Sequence, residues 1–165
     1  GIQSARNFED FSQVYSSVYS YRHYEVNPHS KPVGDFVKVD FELRGCPINK
    51  ESLKELIGAI IQGRSPQMPS YPLCLECKRK GNPCVVVANG LSCLGPITLA
   101  GCGALCPSYK RGCYGCYGPI EKPNLEALEE GYRRLGKDER ALKESLILSF
   151  NAYNKYWVEK LGIIK

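Results

Sequence analysis

Between Ser4 and Ser20, the residues Phe8, Phe11, Val14, Tyr15 and Val18 recur at three- and four-residue steps. That spacing is the apolar stripe of an amphipathic helix. The stretch NPHSKPVGD breaks it. Residues 37–44, VKVDFELR, then alternate, with Val37, Val39, Phe41 and Leu43 on one face and Lys38, Asp40, Glu42 and Arg44 on the other. Alternation of this kind predicts a half-buried strand. It runs directly into GCP. Asn49 is placed to cap a second helix whose stripe is Leu53, Leu56, Ile57, Ile60 and Ile61 and which stops at Gly63. Near the other end, Leu125, Leu128, Tyr132 and Leu135 predict a helix ended by Gly136. Asp138 then caps a last helix carrying Leu142, Leu146, Phe150, Tyr153 and Trp157.

The middle of the chain lacks such patterning. From Cys74 to Pro119 there are eight Gly and four Pro and no sustained periodicity, so this stretch cannot build an ordinary core and must be held by something else. The helix, strand and helix before it read as the end of an α/β layer whose earlier strands are missing. The expected division is therefore residues 1–65 as the close of an α/β unit, 66–120 as an irregular stapled domain, and 121–165 as two C-terminal helices.

Bulk properties narrow the function. The 165 residues suffice for one domain with a real core, or for a modest domain with a metal-stapled annex. The net charge is +5, with 22 Lys and Arg interspersed among 17 Asp and Glu, so no basic stripe points to nucleic acid. No apolar run approaches the ~20 residues that span a bilayer, and no leader with a cleavage site opens the sequence. The expectation is a soluble chain that is not exported in this form. Met68 is the only methionine, so the expectation is also of a processed, split or truncated product.

Eight of the nine cysteines fall between 74 and 116, at separations of 3, 7, 9, 9, 4, 7 and 3 residues. The pattern is nearly symmetric about Cys93. It divides naturally into Cys74, Cys77, Cys84 and Cys93, followed by Cys102, Cys106, Cys113 and Cys116. A disulfide framework needs an oxidising compartment and usually a short secreted chain, and neither is indicated. Structural zinc is satisfied by four thiolates and would staple a glycine-rich loop equally well. Iron-sulfur clusters also take four thiolates, and they want a tight backbone that turns amide donors toward sulfur. Segments such as CLGPITLAGCGALCP and GCYGCYGP suit that need. Spacing alone leaves zinc and clusters both open.

Three motifs in this order, CLECKRKGNPC, GLSCLGPITLAGCGALCPS and RGCYGCYGP, resemble the iron-sulfur half of the small subunit of NiFe hydrogenases. The resemblance is to the cytoplasmic sulfhydrogenase delta and deazaflavin- or viologen-reducing gamma subunits, and it runs from about Val37 to Pro119. It implies that Cys74, Cys77, Cys84 and Cys93 hold a distal 4Fe-4S cluster, and that Cys102, Cys106, Cys113 and Cys116 hold a medial 4Fe-4S cluster. In the periplasmic uptake enzymes the first position is a histidine and a cysteine is lacking where Cys106 stands. By this resemblance Cys74 places the chain with the cytoplasmic branch, and Cys106 implies a full 4Fe-4S cluster where the uptake enzymes hold a three-iron one. Cys46, in RGCP, reads in isolation as a buried small hydrophobe. The resemblance makes it instead the last ligand of a proximal 4Fe-4S cluster. Its companions would precede the opening GIQS in a flavodoxin-like domain, of which residues 1–65 would be the C-terminal remnant.

The implied function is an electron-transfer small subunit of a cytoplasmic NiFe hydrogenase. Its expected partners are a large subunit carrying the NiFe site, a flavin or iron-sulfur acceptor subunit and, in a split arrangement, a separate chain bearing the first half of the small subunit. The alternative is a zinc-stapled protein-interaction module without a redox role. Lys78, Arg79 and Lys80, beside the distal set, are either a solvated charge run or a dock for an acidic partner. Tyr114 and Tyr117 read as packing that dries the medial site, and His23 and His29 as ordinary surface residues. No Ser-His-Asp set, phosphate-cradling GxxxxGK or paired-carboxylate site stands out, so no catalytic residue is assigned.

Overall fold

The computed structural model describes residues 10–18 and 32–147. The start of the first predicted helix, His23, His29, Phe150, Tyr153 and Trp157 lie outside the described residues. Within them, α1 spans Phe11–Val18, and α2 spans Lys50–Ile61, capped by Asn49, whose side chain accepts from the N–H groups of Glu51 and Ser52. Both lie where the apolar spacing predicts them. Arg64 returns from the end of α2 to pair with Glu55 at 2.6 and 2.9 Å, and Glu55 also accepts the Gln67 N–H at 2.8 Å. This clamp directs the chain from α2 toward the cysteines.

Residues 37–44 form no strand, which corrects the sequence expectation. Alternation prepares a segment for a sheet, but a strand exists only when a neighbour takes up its N–H and C=O groups. Among the described residues this segment has no such ladder. Val37, Val39 and Phe41 are accordingly exposed, as are Ile57, Ile60 and Ile61 of α2. An α/β flavodoxin-like remnant is thus not visible in the described residues, which are mainly helical.

The glycine-rich middle is more regular than its sequence suggests. It contains α3, Leu73–Arg79, α4, Val85–Asn89, and α5, Leu105–Ser108. At seven, five and four residues these helices are too short to carry a readable apolar period. A 3-10 turn, Gly95–Ile97, leads into residues 97–100, which lie between two neighbours through isolated antiparallel bridges, Pro72 with Leu99 and Thr98 with Pro119. Leu73 and Ala100 donate to Thr98 and Tyr71 on one side, while Leu99 and Ile120 donate to Gly118 and Ile97 on the other. Arg44 reaches this arrangement by donating to the Pro119 carbonyl at 3.0 Å.

The C-terminal helices follow the predicted pattern. α6 spans Leu125–Arg134 with Asn124 as its cap, Gly136 adopts a φ of 66° beyond it, and α7 spans Glu139–Ile147 with the Asp138 carboxylate accepting from Ala141. Their buried faces do not pack only on each other. Leu128, Tyr132, Leu142 and Leu146 enclose Leu94 and Ile97, which lie just beyond Cys93. The helices are therefore a lid over the cysteine-bearing segment. A second small cluster is built from Leu73, Ala104 and Cys113, with Cys77, Cys93 and Cys102 packed against it. Among the described residues no helix is long and apolar enough to cross a membrane.

Candidate metal centre

All nine cysteines are free thiols. The eight between 74 and 116 lie near one another, with influences both within and across the two groups that the spacing suggests. Helix α3 presents Cys74 and Cys77 from one turn, Cys84 stands at the start of α4, and Cys93 precedes the Gly95–Ile97 turn. Cys74 lies within electrostatic range of Cys93, Cys77 and Cys84. In the second set Cys102 and Cys106 influence each other, and Cys116 lies near Cys102, Cys106 and Cys113. The sets touch where the Cys113 N–H donates to the Cys93 sulfur at 3.2 Å.

The thiols share an unfavourable electrostatic setting. Burial first, then the neighbouring sulfurs, pushes Cys74 up to about 12 and Cys77 up to about 11 from an ordinary 9.0. Burial likewise raises Cys93, Cys102, Cys106 and Cys116, and holds Cys113 well above the usual thiol range. Desolvated, mutually repelling thiols are costly to ionise alone, and a cationic centre reverses that cost. Donors are already turned toward several sulfurs. Gly115 N–H reaches Cys113 at 3.3 Å, the Gly95 amide faces Cys93, the Ala104 and Leu105 amides face Cys102, and the Cys46 amide faces Cys116.

Gly95 supplies a test of fit. A Cβ built there would stand 3.3 Å from both the Cys74 and the Cys93 sulfur, so a side chain at this position would enter the space between two thiols of one set. Gly112 permits the meeting of the sets, because a Cβ there would overlap the Ser92 carbonyl. Among the described residues no three Cys, His, Asp or Glu side chains converge closely enough to hold a single metal ion. Thiolates with backbone amides turned toward their sulfurs are the donor set that an iron-sulfur group would use.

Cys46 is exposed and stands against the second set through its contact with Cys116. Tyr117 behaves as the sequence suggests. It is 5% exposed, and its ring is held between Gly45 and Gly101, where a Cβ would come within 2.7 and 2.8 Å of it. Its hydroxyl donates to the Pro47 carbonyl at 3.4 Å. Tyr114 differs, being 43% exposed. It follows the buried Cys113 in the chain but lies open to solvent, so it does not dry the site. Lys78, Arg79 and Lys80 line the end of α3, with Arg79 stacked 4.7 Å over the Tyr71 ring.

Two contributors are not evident from the sequence. Gly95 is hidden among many glycines, although its place two residues after a cysteine and before proline is the signal. Glu76 is the lone acid in CLECKRK, and its carboxylate accepts N–H groups from the second set's loop.

A largely half-buried group of free thiols with amides aimed at sulfur defines a cysteine-rich chain equipped for a thiolate-held centre. Comparison with known proteins makes the class specific: the chain is homologous to iron-sulfur subunits of hydrogenases. It is 41% identical over 119 residues to sulfhydrogenase 2 subunit delta of Pyrococcus furiosus, covering 72% of this chain and 49% of that protein. It is 34% identical over 112 residues to a subunit of the F420-non-reducing hydrogenase of Methanothermobacter marburgensis, covering 56% of this chain and 36% of the relative. The iron-sulfur subunit of the F420-non-reducing hydrogenase of Archaeoglobus profundus is 30% identical over 119 residues, covering 54% and 36% respectively. The chain thus spans half or less of the length of these relatives. No family model matches it.

Proposed function

We propose that this chain is the electron-conducting part of a cytoplasmic NiFe hydrogenase small subunit. Cys74, Cys77, Cys84 and Cys93 hold the distal 4Fe-4S cluster, and Cys102, Cys106, Cys113 and Cys116 hold the medial one. Cys46 supplies one thiolate to a proximal 4Fe-4S cluster. Its partners are a large subunit carrying the NiFe site and a flavin or iron-sulfur acceptor subunit.

When bound, such clusters exchange single electrons with little rearrangement of their ligands. The chain's own residues bind and tune. The observation that carries the reading is the contact of the two thiol sets at Cys93 and Cys113, which joins them side by side in one packed unit. Cys113, Cys93 and Cys77 provide the dry side of the sets, under Leu73 and Ala104. Amide donors at Gly95, Ala104, Leu105 and Gly115 stabilise charge on sulfur. Tyr117 excludes water between Gly45 and Gly101. Cys84 is the exposed member of the first set, and the cations of Lys78, Arg79 and Lys80 lie between it and Cys77 in the chain. An acidic acceptor surface would meet them there.

The test is an anaerobic purification of the chain with whatever copurifies, followed by electron paramagnetic resonance during reductive titration. The account expects two one-electron signals, lost separately in Cys84→Ser and Cys106→Ser variants, and a hydrogenase large subunit among the bound proteins. A colourless protein that binds zinc and shows no reducible signal would overturn it in favour of the zinc-stapled module.

A further inference from the structure

Glu76 stands between Cys74 and Cys77 in sequence, on α3, yet its carboxylate serves the other set. One oxygen accepts the Gly101 N–H and the other accepts the Ala104 N–H, each at 2.9 Å and across 25 and 28 residues of chain. These two amides bracket Cys102. The loop reaches them through positive φ at Gly101 (132°), Gly103 (65°) and Ala104 (52°). Ala104 carries a side chain in a region where non-glycine residues are uncommon, so the surroundings must hold it there. A backbone wound in this way gathers successive N–H groups into an anion-binding concavity. Here the anion is built in.

We infer that Glu76 is a positioning residue that couples the two thiol sets, its carboxylate holding the Cys102 loop in shape from the helix that carries Cys74 and Cys77 and setting one negative charge between them. The inference rests on the electron-transfer reading for its redox consequences and on the hydrogen bonds alone for its structural ones. The carboxylate stands on the helix that carries Cys77 and is bonded to the amides on either side of Cys102, so its negative charge lies beside both and disfavours added negative charge there. It therefore opposes reduction at both sites.

Glu76→Gln keeps the shape of the side chain, but its amide offers one acceptor where two N–H groups point, and it carries no charge. In the anaerobically purified complex, both midpoint potentials should rise in this variant. The signal assigned to the second set by Cys106→Ser should also broaden or weaken, although Glu76 belongs to the first motif. Glu76→Asp keeps the charge but is one methylene too short, and should disturb the second-set line shape with a smaller change in potential. Unchanged potentials and line shapes in Glu76→Gln at full iron content would overturn the proposal, as would a change confined to the first set. Amide exchange over residues 99–106 provides a readout free of iron. Those amides should exchange faster in Glu76→Gln than in the parent chain, and equal rates would refute the tie. Absence of iron in the parent chain would refute the electron-transfer reading while leaving the exchange result to decide this one.

Discussion

The backbone N–H of Cys113 donates to the Cys93 sulfur at 3.2 Å, and the Leu94 N–H donates to the Cys113 carbonyl at 3.0 Å. Two segments twenty residues apart are thereby zipped at the point where the thiol sets meet. The closeness depends on Gly112, whose missing side chain leaves room for the Ser92 carbonyl. Gly112→Ala should force the segments apart at a cost of about 1–3 kcal/mol or more, the range for overpacking. Both sets should lose iron together in this variant, measured as iron per chain alongside the thermal midpoint. Full iron content would show that the sets do not depend on this approach.

Gly95→Ala is predicted to act more locally. Its Cβ would lie 3.3 Å from the sulfurs of Cys74 and Cys93, so the first set should lose its metal while the second retains it. Gly58→Ala is the control. Nothing lies within 4 Å of a Cβ at Gly58, and inside α2 the replacement should stabilise by about 0.5–1 kcal/mol through backbone entropy. Iron content and chemical denaturation distinguish the two; equal iron in both variants would contradict the cradle at Gly95.

The raised thiols predict an alkaline limb in the iron-free chain. Cys74 and Cys77 hold their protons up to about 12 and about 11 when folded, against an ordinary 9.0. Below pH 9 the folded and unfolded states bind the same protons and the stability contribution is complete. As pH rises from 9.0 toward about 11 and about 12 the unfolded state releases protons that the folded state retains, so stability falls. Alkylation followed by mass spectrometry reads the same shift residue by residue. At about pH 8 Cys74 and Cys77 should react more slowly than in urea, with rates rising about tenfold per pH unit. Equal rates in the folded and urea-unfolded chain would mean that the thiol sets are not preformed.

The C-terminal helices are predicted to protect the metal centre. Leu128 is 1% exposed and packs with Leu94 and Ile97. Leu128→Ala should cost about 2–5 kcal/mol, as a large-to-small change in a packed core does. Because Leu94 adjoins Cys93, the variant should also lose iron faster to a chelator. An unchanged release rate with lowered stability would separate the helical lid from the site.

Sequence patterning located α2, α6 and α7 because each has a cap and a long apolar stripe. Asn49 and Asp138 perform the capping that their positions suggest, and Asn124, not singled out by the sequence reading, caps α6. Residues 37–44 misled for a physical reason: alternation reports readiness for a sheet and says nothing of whether a partner strand is at hand. The short helices α3, α4 and α5 were not legible because they are too short for an apolar stripe to repeat and some of their inward residues are the cysteines themselves. Cysteine spacing did reveal that residues 74–116 gather their thiols in one region. It did not reveal their contact at Cys93 and Cys113, which depends on Gly112, nor the reach of Glu76 into the second loop. Both are long-range contacts between a backbone N–H and a distant side chain, and they carry no periodic signature.

The central claim is that iron and sulfide, not zinc, occupy the eight thiols. Elemental analysis of the anaerobically purified chain, with acid-labile sulfide measured on the same sample, tests it most directly. The account predicts about eight iron and about eight sulfide per chain, as two four-thiolate cubanes require, with any proximal cluster adding to that total. About two zinc per chain, as two structural four-thiolate sites would hold, with iron and sulfide near zero would contradict it.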